Sequence, residues 1–148
     1  MPVYATNKKA RFDYEILESI EAGLKLIGPE VKAVRNGNVN LKGAYITFHG
    51  GEAFLTNAHI GKYKPASNLK DYDPTRSRKL LLKAKEIVYL SGKTAEKGLT
   101  VVPISVYTKG RHIKLEIAIG RGKKKFDKRR TIKDREQKRE IERKMKEQ

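Results

Sequence analysis

Between His112 and Gly120 the chain alternates: Ile113, Leu115, Ile117 and Ile119 fall between His112, Lys114, Glu116 and Ala118. A period of two sends one set of side chains inward and the other outward, which predicts a half-buried strand. Leu99–Tyr107, rich in Val, Ile and Tyr, precedes it, and Lys109-Gly110 between them tolerates a tight turn, so the two segments read as an antiparallel hairpin. Pro103 cannot donate to a ladder, which predicts an edge position or a bulge. Ala44–His49 and Glu52–Asn57 flank Gly50-Gly51 and read as a second hairpin. Tyr14–Leu26 is predicted as an opening strand, with a bulge or bend at Gly23. Gly28-Pro29 ends it, and Pro29 suits the first turn of a short helix reaching Arg35 and closed by Asn36-Gly37. After a polar, turn-rich stretch over 62–73, Lys79–Leu82 reads as a short strand. Ala84–Lys97 then reads as a helix with Ile87, Leu90 and Thr94 near one face and Gly98 as its stop.

Five or six short strands separated by turns, with a helix inserted late, predict a mainly β domain over residues 1–120: an OB-like β-barrel with two or three short helices. Past Gly120 the apolar period fades and charge dominates. Residues 121–148 cannot bury enough surface to offset their ordering entropy, so this basic tail is expected to be disordered in the free protein. It is nonetheless a poised helix. Asp134–Lys138, Glu140–Lys144 and Glu142–Lys146 are i,i+4 pairs in the favourable order, and Arg135, Arg139 and Arg143 share one stripe suited to phosphates.

The chain has 148 residues and carries 34 Lys and Arg against 17 Asp and Glu, a net charge of +17 that implies a polyanionic partner. Residues 121–148 hold 14 basic and six acidic residues, a net +8, which leaves +9 for the body. An anionic membrane surface would attract such a charge, but the tail offers only Phe126, Ile132, Ile141 and Met145 to bury, so nucleic acid is the better reading. With no cysteine, disulfides and thiolate metal sites are excluded, and a reducing, cytoplasmic setting is favoured. The N-terminal residues lack a signal-peptide apolar region, and no apolar run approaches the roughly 20 residues of a membrane span. His49, His59 and His112 lack metal-ligand spacing, and no phosphate-binding loop, nucleophile elbow or zinc-protease motif occurs. The expectation is a non-enzyme without metal or cofactor.

Several motifs then converge. Asn7-Lys8-Lys9-Ala10, Asp13-Tyr14, Glu21-Ala22-Gly23-Leu24, Glu30-Val31-Lys32 and Gly51-Glu52-Ala53-Phe54-Leu55 are followed by Asp73-Pro74-Thr75-Arg76, Arg78-Lys79-Leu80-Leu81-Leu82 and Gly98-Leu99-Thr100-Val101-Val102-Pro103. Arg121-Gly122-Lys123-Lys124-Lys125-Phe126-Asp127-Lys128-Arg129 completes the series. In this order and spacing they resemble the SsrA-binding protein family of bacterial trans-translation. The resemblance implies a non-enzymatic OB-like barrel that grips the tRNA-like end of transfer-messenger RNA (tmRNA). It also implies a tail that folds into a helix in the vacant mRNA path of a stalled ribosome. Its implied partners are tmRNA, the ribosome with its 16S and 23S rRNA, and, through the complex, elongation factor Tu and alanyl-tRNA synthetase, with the protein itself a monomer.

Residue by residue, Glu21 matches the family's acidic RNA-binding position, where a carboxylate can accept from base amino groups or orient an arginine. Leu81 and Lys83 match its RNA-contacting leucine and the residue two beyond. Many members have Asn there; lysine meets a phosphate but cannot make the bidentate amide contact to adenine. From the residues alone, Leu81 is as readily a core leucine. Arg76, Arg78 and Lys79 follow a turn as a candidate phosphate clamp. Asn7, Lys8 and Arg11 lie on an expected mobile N-terminal arm, and Lys32 and Arg35 on the short helix complete the RNA-binding set. The ribosome-binding set is Gly122, Lys123, Lys124, Lys125, Asp127, Lys128 and Arg129 at the junction, with Lys133, Arg135, Arg139 and Arg143 beyond it. The alternative is a general RNA-binding or ribosome-assembly OB-fold protein without a unique RNA target.

Overall fold

A computed structural model describes residues 2–63, 71–123, 129, 132–133, 135–141 and 143. The elements are β1 (Val3–Thr6), α1 (Lys8–Asp13), β2 (Tyr14–Leu24), α2 (Gly28–Arg35), β3 (Val39–Asn40), β4 (Tyr45–His49), β5 (Glu52–Thr56), β6 (His59–Ile60), β7 (Arg78–Leu81), α3 (Ala84–Thr94), β8 (Leu99–Lys109) and β9 (His112–Gly122). Seven strands form one sheet in the order β1-β8-β9-β2-β7-β5-β4, every pair antiparallel, while β3 and β6 pair separately. The mainly β class with short helices is as expected. The expected barrel is not closed by hydrogen bonds: β1 and β4 end the sheet, which curls until β4 lies against β8.

The curl has local causes. Pro103 disturbs the β8–β9 register before Ser105, so the proline makes the bulge that its missing N–H requires, inside the sheet. A second irregularity falls between Ile16 and Glu18 on β2, away from Gly23, where the sequence suggested it. Gly50 and Gly51 both take positive φ (56° and 75°), as a two-residue hairpin loop joining His49 to Glu52 demands. β7 contributes only two register pairs to each neighbour and serves as a narrow bridge between the long β8–β9–β2 half and the β5–β4 hairpin.

Register decides which side chains are inside. Ala22, Leu115 and Val106 face one another across β2, β9 and β8, and all are buried. Ile117, Leu55 and Leu80 join them, and Ala33 and Val34 of α2 and Leu90 of α3 cover this core. Fully burying a residue such as Leu90 is worth about 1.5–3 kcal/mol. The opposite face of the long hairpin is covered as well, because Ala10 of α1 packs on Val102, Ile104 and Ala118. This explains why Val101 to Val106 are buried in succession instead of alternating. The expected mobile N-terminal arm is therefore replaced by β1 on the edge of β8 and by α1 on the sheet.

β9 continues to Gly122, two residues past the expected end of the body, and the Lys123 N–H donates to the Asp13 carbonyl at 2.9 Å. Within the tail, residues 135–141 are helical instead of disordered, and the Arg135 guanidinium lies 5.9 Å from the centre of the Phe12 ring on α1. Lys124, Lys125, Asp127 and Lys128 lie outside the described residues, as do Asp134, Lys144 and both members of the expected Glu142–Lys146 pair.

Candidate nucleic-acid interface

The outer face of the sheet collects residues that are far apart in sequence. Tyr107 pairs with Lys114, Lys114 with Gly23 and Gly23 with Leu81, so these four form one row across β8, β9, β2 and β7. Glu21 lies two residues back along β2 on the same face, opposite Glu116. Its carboxylate accepts from the Tyr107 hydroxyl, and the Lys109 ammonium lies 3.5 Å away. The Tyr107 bond, against the smaller opposing effect of burial, and then the nearby Lys109 charge hold the Glu21 carboxyl below its ordinary value. Burial and the Glu21 carboxylate push the Tyr107 hydroxyl up. Glu21 is thus an oriented anion near Lys109 and Lys114, a carboxylate that can accept from amino donors.

Leu81 is not a core leucine: 54% of it is exposed, on the outer face of β7. A Cβ on Gly23 would sit 3.0 Å from the Leu81 Cβ, so the glycine of the Glu-Ala-Gly step serves close packing under this leucine, with no bulge there. Lys83 is exposed just before α3, where the Glu86 carboxylate accepts its backbone N–H at 2.9 Å. Lys79 forms a 3.0 Å ion pair with Glu52. On α2, Lys32 lies 5.4 Å above the Tyr63 ring, and Arg35 donates to the Arg111 carbonyl at 3.4 Å. Lys8 and Arg11 are exposed on α1, and Arg129, Lys133, Arg135, Arg139 and Arg143 are exposed in the tail.

Two expected RNA contacts are corrected. Arg78 is fully buried and its guanidinium is fully engaged. It meets Glu30 through Nε at 2.8 Å and Nη2 at 2.7 Å, and it donates to the carbonyls of Ala58 at 2.6 Å and Pro74 at 2.9 Å. Arg76, about a third exposed, also ends on Glu30, and the Tyr72 hydroxyl, 2.8 Å from the Ile60 carbonyl and 3.2 Å from Glu30 Oε2, shares its one proton between them. This cluster ties α2 to the segment entering β7. Its sequence signature of closely spaced arginines after a turn is the same as that of a surface clamp, and only burial tells them apart. Asn7 is the second correction. It is 92% buried by its 8% exposure, its Oδ1 accepts from the Ala10 N–H at 3.1 Å as the cap of α1, and its Nδ2 donates to the Pro103 carbonyl at 3.0 Å. Asn7→Ala should lower stability by about 1–2 kcal/mol, read from thermal melts, with RNA affinity unchanged below the melt.

Tyr107, Lys109, Arg111 and Lys114 were absent from the expected site. Their signal was the polar half of the β8–β9 alternation, which becomes informative only once the register places them beside Glu21. His49, His59 and His112 lie exposed on β4, β6 and β9, and among the described residues no cluster of His, Asp or Glu could hold a metal.

Comparison with known proteins agrees with this fold. The family described as SmpB protein matches residues 4–147. The chain belongs to the SmpB family. It is 53% identical over 137 residues to the SsrA-binding protein of Prochlorococcus marinus, covering 93% of this chain and 83% of that one. With the SsrA-binding protein of Persephonella marina the identity is 51% over 144 residues, covering 97% and 94%. A chain from a solved structure concerned with tmRNA–SmpB at the centre of the bacterial ribosome is 44% identical, with a TM-score of 0.69, over 84% of this chain and 87% of that one. The SmpB match spans the sheet and almost the whole tail, so both parts belong to the family's common plan.

Proposed function

We propose that this chain binds the tRNA-like portion of tmRNA through the outer face of its sheet and delivers it to stalled ribosomes for trans-translation. The observation that carries the proposal is the register. It places Glu21 and Leu81, which match the family's RNA-binding positions, on one exposed face beside Lys109 and Lys114. Relatives at about half identity are SsrA-binding proteins, and the solved neighbour concerns tmRNA–SmpB and the ribosome. The excess of positive charge supplies the attraction to any RNA, while the oriented carboxylate and the exposed leucine supply selectivity.

In this reading the basic tail enters the ribosome and occupies the vacant mRNA path, with Arg135, Arg139 and Arg143 on the rRNA backbone. Elongation factor Tu and alanyl-tRNA synthetase meet the protein through the aminoacylated RNA. The protein acts as a monomer in the cytoplasm and breaks no bond. No helix among the described residues is long and apolar enough to cross a membrane.

The test is binding to the tRNA-like portion of tmRNA, competed by ordinary tRNA of similar length at moderate salt. A strong preference for the tmRNA fragment is expected; equal competition would leave a general RNA binder. Glu21→Ala and Leu81→Ala should each weaken binding by roughly tenfold, the loss expected of one charged hydrogen bond or one desolvated apolar contact. Unchanged dissociation constants for both variants would reject the outer face as the site.

A further inference from the structure

Beside Leu81 the surface drops into a pocket of about 170 Å³. Leu24 at the end of β2, Leu26, Val31 of α2 and Leu81 itself provide its apolar walls, and Gly23 leaves room by carrying no side chain. Ile113 also lines it, and Arg111, His112 and Lys114 complete the lining, so it carries no acidic side chain. The Arg111 backbone sits in a tight turn. Gly110 takes a φ of 63° and Arg111 a negative φ, the pattern of a tight type II′ hairpin turn, and the Arg35 guanidinium secures the Arg111 carbonyl. On the other side of Leu81 lies a wider hollow of about 530 Å³, lined among others by Lys79, Leu82 and Lys83. The exposed leucine is thus a ridge between two hollows.

We infer that the smaller pocket takes one unstacked nucleobase of the bound RNA, with Leu81 as the wedge that parts it from its neighbour. An apolar side chain inserted at a base step separates the two bases, and sequence-selective RNA recognition acts mostly on loop bases that have left the stack. The pocket volume equals that of about six liquid-phase waters at ~30 Å³ each, enough for one heterocyclic base. A base is flat and largely apolar on its faces, which fits walls of leucine and valine. The phosphates on either side of an extruded nucleotide fit Lys114, and the Arg111 guanidinium can stack on the base or meet a phosphate. A carboxylate side chain or a lipid phosphate could pair with Arg111 and Lys114 but would leave the leucine and valine walls uncovered, whereas a base with its flanking phosphates meets both.

The inference rests on the proposed RNA function, and its test separates the two. The probe is the tRNA-like portion of tmRNA carrying a single abasic nucleotide, moved in turn through each loop position. With the wild-type protein, one position should cost roughly tenfold in affinity, the loss expected when one base no longer buries its faces against the apolar walls. Val31→Trp fills the pocket. It should lose about the same factor on intact RNA and lose little more on the sensitive abasic RNA, because pocket and base form one interaction. Leu26→Phe narrows the same pocket from outside the helix and serves if circular dichroism shows that Val31→Trp does not fold. If no abasic position matters, or if the losses from the filled pocket and the missing base add in full, the inference is overturned. A fragment that binds no better than ordinary tRNA would instead overturn the proposed function.

Discussion

Glu30→Ala should destabilise the protein by about 3–5 kcal/mol, because removing one partner of a buried ion pair leaves the other as an uncompensated buried charge. Both the Glu30 and the Arg78 side chains are fully buried. Glu30 also accepts from the Ile27 N–H at 3.1 Å, from Arg76 and from Tyr72, so one substitution removes a helix cap and frees the segment leading into β7. Against a typical total of about 5–15 kcal/mol, such a loss leaves the chain close to unfolding at ordinary temperature. Urea denaturation followed by circular dichroism measures it, and a change below about 1 kcal/mol would show that the network contributes little. Arg78→Met should be equally harmful, and the double variant should recover only part of the loss, since the carbonyls of Ala58 and Pro74 stay without their donor.

The same carboxylate gives stability a pH dependence of known sign. Burial raises the Glu30 pKa, but bonds from Arg76, the Ile27 N–H and Arg78 together outweigh burial and hold it below the ordinary 4.5. A depressed carboxyl pKa contributes stability that is complete above its unfolded value and is lost as pH falls through the folded one. Wild-type stability should therefore decline below about pH 4.5, and Glu30→Gln should show a smaller decline over that range.

Ending the chain after Lys123 should abolish peptide tagging on stalled ribosomes while leaving the preference for the tmRNA fragment over tRNA within about twofold, the coupling expected of distant sites. The preference is the right measure, because removing so many basic residues weakens attraction to every RNA through counterion release. Keeping Lys123 matters: β9 runs to Gly122, and the Lys123 N–H is bound to the Asp13 carbonyl, so the cut leaves the sheet whole. Tagging activity is read from reactions on ribosomes stalled at a truncated message. If truncation removes the preference, the sheet and tail do not work as separable parts.

Much of the architecture was legible because it is local. The alternation from His112 to Gly120, the glycines of the Gly50-Gly51 loop, the proline opening α2 and the bulge demanded by Pro103 each follow from one residue's geometry or one short pattern. α1 was missed because its six residues are too few to display a helical period, and its cap, Asn7, has the look of a polar residue on a loose arm. The tail's helical residues were expected only on binding, since nothing in the chain pattern announced Phe12 as an aromatic contact for Arg135.

The sequence by itself determined the basic charge of body and tail, the family, the mainly β class and the matched residues Glu21 and Leu81, all of which are properties of residue type, spacing or order. Only the tertiary structure decided that Arg76 and Arg78, two residues apart, both end on buried Glu30, 46 and 48 residues away, and that Arg78 alone is fully buried. It also decided that Glu21, Leu81, Tyr107 and Lys114 share one face and that the sheet curls without closing. Burial and strand register are long-range properties: they depend on which segments pair, and a one-residue change of register would turn every one of these side chains to the opposite face.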